Sequence, residues 1–186
     1  MFKLTSKFLA PLFSAVILIL LVGCNLANSK MHRISFEGDF TLDIPVYMEE
    51  MNIEYENIVA QYGSEYHEHH VTITRESNQI YVPGFSELFV ETYALLCEKN
   101  YELGLKDAVS EKMDDAVVNR NDMETVSYRT TGIFNNEFGI DVPVVYYNMY
   151  YKGPDNFYIV STWTIADREI KYQKNMRHIV ESLKKL

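Results

Sequence analysis

Residues 143–165 read PVVYYNMYYKGPDNFYIVSTWTI, and this stretch decides the fold. Val145, Tyr147, Met149 and Tyr151 alternate with Val144, Tyr146 and Tyr150, so both faces of the first half are apolar. In the second half Phe157, Ile159, Trp163 and Ile165 share one face, with Val160 on the other. Between the halves, Gly153-Pro154-Asp155-Asn156 supplies a turn, because these residue types adopt the backbone angles of a tight reversal. Side chains alternate faces along a strand. Strands that are apolar on both sides therefore lie inside a sheet covered twice.

Working outward, Glu124 to Phe134 reads as a further strand. Towards the amino end, Arg33 to Phe36 and Phe40 to Ile44 are short alternating runs split by Glu37-Gly38-Asp39, which predicts a hairpin. Pro45 stops its second strand. Asn57 to Tyr62 and His69 to Arg75 predict a second pair around Gly63. A helix is expected next: Pro83-Gly84 breaks the chain, Ser86 can cap and Gly104 can terminate. Glu87, Glu91, Glu98 and Glu102 fall on one helical face, with Phe89, Tyr93, Leu96 and Leu103 roughly opposite, so an acidic exterior and an apolar interior are expected. Asp167 is expected to cap a final helix whose Tyr172, Met176, Ile179, Val180 and Leu183 recur at helical spacing. The fold class is α+β: a mostly antiparallel sheet covered by helices on both faces.

This order resembles the PsbP/Mog-type α/β/α sandwich. The features that carry the likeness are the hairpin ending in Leu42 to Pro45, two more strands and a mid-chain helix. Long strands with aromatic alternation follow, then a closing helix near Ile179-Val180-Glu181-Ser182-Leu183. The likeness covers nearly all of residues 32–186 and is one of pattern, not of signature motif. It implies an accessory or binding scaffold rather than a catalyst. It assigns no functional residue, since function lives in sites and not in folds.

The first 24 residues, MFKLTSKFLAPLFSAVILILLVGC, carry a separate message. Lys3 and Lys7 precede a fifteen-residue apolar run, Phe8 to Val22, which is shorter than the roughly 20 residues a bilayer span needs. Its length and polarity suit a secretory signal. Leu21, Val22, Gly23 and Cys24 then resemble the lipobox of bacterial lipoproteins, which implies cleavage before Cys24 and acylation of its thiol. Two or three long acyl chains hold essentially permanently, whereas one gives only marginal binding. The expected organisation is a cleaved signal peptide at 1–23, a lipidated tether at 24–31 and a single α/β/α domain at 32–186. Asn25 stands where an aspartate would retain an enteric-type lipoprotein at the inner membrane. Export to the outer membrane is therefore expected if the cell has one.

Bulk numbers set further bounds. The chain has 186 residues, 47% apolar and 23% charged, enough for one core of ordinary size. Its formal charge is −9, and loss of Lys3 and Lys7 with the leader leaves 15 basic against 26 acidic residues, or −11. Such a surface repels phosphate backbones and anionic lipid headgroups, so no nucleic-acid partner is expected. With Cys24 acylated, Cys97 has no intramolecular partner, so no disulfide framework is expected.

Few motifs carry chemistry. In His67-Glu68-His69-His70, His67 and His69 would share a strand face and are weak candidates for a metal site. Cys97 reads as a half-buried structural thiol, with Glu98 beside it opposing thiolate formation. Asp114-Asp115, near Glu111 and between Lys112 and Arg120, reads as solvated charge. The tyrosines from Tyr146 to Tyr158 either line a pocket or fill the core, and core is favoured. No Walker, Rossmann, Gly-x-Ser-x-Gly or His-Glu-x-x-His pattern occurs, and no cofactor is implied. The expected function is a membrane-anchored, non-catalytic accessory domain of the cell envelope with a protein partner. The alternatives are a small-ligand binder with an aromatic pocket and a metal-dependent hydrolase built on His67 and His69.

Overall fold

The computed structural model describes residues 30–36, 40–52, 56–78, 88–114, 116–136 and 138–186. The leader, the lipobox and Cys24 lie outside these residues, as do Glu37-Gly38-Asp39, Pro83-Gly84, Ser86, Glu87 and Asp115. The described strands are β1 (Met31–Phe36), β2 (Phe40–Pro45), β3 (Glu49–Glu50), β4 (Ile58–Ser64), β5 (His69–Ser77), β6 (Lys106–Lys112), β7 (Val118–Arg120), β8 (Met123–Asn135), β9 (Asp141–Lys152), β10 (Asn156–Ile165) and β11 (Lys184–Lys185). The helices are α1 (Val90–Gly104) and α2 (Glu169–Glu181), the second entered through a 3-10 turn at Ala166–Arg168. An eight-stranded sheet runs β3-β4-β5-β10-β9-β8-β6 with β7 paired to β8, and β1-β2-β11 forms a smaller one. Every pairing among the described strands is antiparallel, so the fold is α+β with a mostly antiparallel sheet.

The opening stretch sits at the centre, as its two-sided apolar pattern requires. β9 and β10 pair in register, Met149 opposite Val160 and Tyr151 opposite Tyr158. Their side chains then divide by parity. Val145, Tyr147, Met149, Tyr151, Tyr158 and Val160 join one core with Tyr172, Met176, Ile179 and Val180 of α2 and with Leu42 and Ile44 of β2. Tyr150, Phe157 and Ile159 join a second core with Val90, Tyr93 and Ala94 of α1. Each large side chain fully buried in this way contributes about 1.5–3 kcal/mol.

Both expected strand pairs form, with β1 against β2 and β4 against β5. The second reverses at residues 65–68 and not at Gly63, which is a strand residue opposite His70. Four further strands were not expected: β3 and β11, each two residues long, and β6 and β7. β6 is an edge strand with no buried residue, and β7 is three residues long, so neither shows the alternation that marks a strand in sequence. The β7–β8 reversal is made by Asn121 (φ 51°) and Asp122 (φ 65°), the residue types that best tolerate left-handed backbone in a two-residue loop. Asp167 does not cap the last helix. It lies in the 3-10 turn, and α2 begins after Arg168 with no side-chain cap. Among the described residues no helix is long and apolar enough to cross a membrane.

Candidate functional site

The helix expected to turn an acidic face outward is rotated. Val90, Tyr93, Ala94 and Glu98 are its buried residues, spaced as one stripe of a 3.6-residue helix. Phe89, Leu96 and Leu103, expected inside, are exposed, and only Tyr93 of that set is buried. The acid expected outside, Glu98, is 3% exposed. Burial of a carboxylate is costly unless its lone pairs are satisfied. Here four donors satisfy them. Ser110 and Thr130 donate to Oε2 at 2.7 and 2.5 Å, and Asn148 Nδ2 and the Tyr150 phenol donate to Oε1 at 2.9 and 2.7 Å. These come from β6, β8 and β9, so the carboxylate ties α1 to three neighbouring strands. Burial and the nearby Glu98 charge push the Tyr150 phenol far above its ordinary range, which keeps it a proton donor to the carboxylate. Glu98 and Ser110, with Leu95, Leu96, Lys99 and Tyr128, line an open groove of about 430 Å³.

The histidines form a second polar cluster. His69 is fully buried, and both of its ring nitrogens are engaged, Nδ1 with the Tyr47 hydroxyl at 2.7 Å and Nε2 with Thr162 Oγ1 at 2.8 Å. Its ring stacks on Tyr172, 4.9 Å between centroids. Burial above all, with the neighbouring His70 and His67, lowers its pKa to about 3, so the ring is neutral. His67 lies in the turn before β5 and not in the strand, with Nδ1 2.9 Å from the Tyr172 hydroxyl. His70 faces away and stacks on Trp163 at 4.2 Å. The pair flagged in sequence thus converges on one tyrosine, with no nitrogen of His69 left for a metal. Among the described residues no three His, Cys, Asp or Glu side chains gather as a metal site.

The remaining candidates are structural in their surroundings. Cys97 packs against the α1 core, and burial first, then Glu76 and Glu98, pushes its thiol up to about 12. Asp114 is not solvated charge: it receives Arg120, Arg177 and the Ser127 hydroxyl at 3.4, 3.2 and 2.9 Å. Glu111 stands 4.0 Å from Arg129, whose guanidinium grips Glu169 through two bonds of 2.6 and 2.7 Å. Tyr147, Tyr150, Tyr151 and Tyr158 are core residues. Tyr146 is half-buried and, with Tyr101, Leu105 and Phe134, lines a shallow pocket of about 310 Å³. Sequence reasoning missed Glu98 because its donors lie 12 to 52 positions away.

No protein-family model matches the chain, and no curated protein is similar in sequence. Solved structures do match. The PsbP protein CyanoP of Synechocystis sp. PCC 6803 superposes with a TM-score of 0.58 at 7% identity, over 87% of this chain and 96% of that one. The Ran-binding protein Mog1p of Saccharomyces cerevisiae gives 0.53 at 11% identity, over 84% and 95%. LpqN, involved in cell envelope biogenesis of Mycobacterium tuberculosis, gives 0.51 at 9%, over 84% and 90%. At these identities the likeness establishes the fold, a PsbP/Mog-type domain, and leaves function to the site.

Proposed function

We propose that this chain is a lipid-anchored accessory domain of the cell envelope, held to its membrane through Cys24 and acting by binding a protein partner. The observation that carries the non-catalytic part is the state of Glu98. It is the most chemistry-like buried group, yet all four of its hydrogen-bonding positions are filled by the protein's own donors. A catalytic acid or base must reach a substrate proton, and this one is spent on holding a helix to a sheet. The LpqN likeness accords with an envelope setting, and the sequence order Leu21-Val22-Gly23-Cys24 supports the anchor. In this reading residues 1–23 are removed, 24–31 form the tether, and 32–186 form one sandwich with a helix on each face of the large sheet. A cell with an outer membrane would carry the protein there, given Asn25.

Mass spectrometry of the native product tests the anchor, with acylated Cys24 at the amino end as the expected result. Photo-crosslinking in intact cells, with the reactive group placed in turn around the domain surface, tests the partner. A specific adduct confined to neighbouring positions is expected, and its absence from every position sinks the partner reading.

A second reading rests on the pocket beside Tyr101 and Tyr146. At about 310 Å³ it reaches the lower end of the range for small-ligand sites. A thermal-shift panel separates the two readings, because a ligand at 100 times its dissociation constant stabilises by about 2.7 kcal/mol.

A further inference from the structure

The strand registers place the chain's entry and its most exposed apolar side chains at one end of the sheet. Ser64 pairs with His69, His69 with Thr164, Thr164 with Val145 and Val145 with Thr131. Everything beyond that row therefore stands together: the β4–β5 turn, the β8–β9 reversal, the start of α2 and, since Lys106 pairs with Ile133, the end of α1. The described chain enters at the same end. Lys30 accepts a backbone bond from Val46 at 2.9 Å, and the adjoining Tyr47 reaches His69. Tyr66 is 86% exposed there, Phe138 78% and Ile170 93%, with Leu103 and Ile140 also bare.

We infer that this end of the domain rests on the bilayer, with Tyr66, Phe138, Ile140 and Ile170 seated among lipid headgroups. The inference rests on the Cys24 anchor proposed above and adds an orientation to it. From Cys24 to Lys30 the chain spans at most about 21 Å at roughly 3.5 Å per residue. The opposite end, at Lys152, stands about 37 Å from Asp141 along β9 at roughly 3.4 Å per residue. The anchor therefore keeps the apolar end within reach of lipid. Amphipathic rings and aliphatic tips are the side chains that settle at a headgroup boundary. Loss of the leader leaves a net −11, so the headgroups that accept this end are zwitterionic and not anionic. Of the acids at this end, Glu68 and Asp141 are paired with Arg168 and Lys106 at 2.9 and 3.3 Å, while Glu65, Glu102 and Asp167 stay exposed to solvent.

The test uses the full acylated chain in vesicles of phosphatidylcholine, part of it brominated. The single native tryptophan is removed by Trp163→Phe, and one reporter is then introduced by Phe138→Trp, Ile170→Trp or, at the far end, Leu186→Trp. Ile140→Trp replaces Phe138→Trp if that variant fails to fold. Quenching at 138 and 170 at least about twofold stronger than at 186 is expected for side chains at the headgroup boundary. Co-sedimentation with the vesicles reports the anchor independently, and a chain that stays in solution sinks both the anchor and the orientation. A chain that sediments but quenches equally at all three positions overturns the orientation alone. So does a reporter at 138 shielded from both lipid bromine and aqueous iodide, which is the mark of a protein seated on that end.

Discussion

The Tyr150 phenol donates to Glu98 across 2.7 Å, joining the C-terminal part of β9 to a helix residue 52 positions earlier in the chain. Both groups are buried, and no cation shares the site's four bonds to the carboxylate. The helix is positioned by this polar knot together with its apolar stripe.

Glu98→Ala removes the acceptor and strands the donors of Asn148 and Tyr150 in the interior. Each buried group left unpaired costs about 1–3 kcal/mol, so a loss of about 3 kcal/mol is expected from urea unfolding. Tyr150→Phe removes one donor and should cost about 1–2 kcal/mol. A Glu98→Ala variant as stable as the native chain would show that the knot contributes nothing.

Acid weakens the fold through His69. Its folded pKa of about 3 lies below the ordinary 6.5, so between those values the unfolded chain takes up a proton that the folded chain refuses. Stability is therefore fully present above about pH 6.5 and declines as pH falls towards 3, at up to about 1.4 kcal/mol per unit. His67 and His70, also lowered, act in the same direction. Urea midpoints measured from pH 7 to 4 should fall steadily, and the fall should be shallower in His69→Gln.

Cys97 should resist alkylation. With its thiol pushed up to about 12, almost none is thiolate at neutral pH. Iodoacetamide is expected to label it only after unfolding; rapid labelling of the native chain at pH 7.5 would contradict the burial.

Gly63 makes room for its neighbours. A Cβ at that position would lie 2.5 Å from His70 Nδ1 and 2.6 Å from Met51 Sδ. Gly63→Ala should therefore displace the ring that stacks on Trp163, lowering the thermal midpoint and shifting the tryptophan emission.

What the sequence disclosed and what it hid divide along one physical line. The β9–β10 pair was legible because its two-sided apolar pattern is local, and so were the stripe of α2 and the β1–β2 hairpin. The orientation of α1 was not. Its acids and leucines suit either rotation, and the choice is made by Ser110, Thr130, Asn148 and Tyr150, which only the fold brings to Glu98. β6 was invisible because an edge strand with no buried residue is held by its backbone ladder to β8. The histidines were visible as a cluster, but the tyrosine and threonine hydroxyls that occupy them were not.

The two borders of the large sheet are built unlike its middle. One is β3, only two residues long and made of Glu49 and Glu50; the other is β6, irregular between Lys106 and Val109 and flanked by Lys106 and Lys112. Short, charged or kinked borders give a neighbouring copy no ladder to extend. However densely such domains are crowded, their sheets should remain separate instead of zipping into fibres.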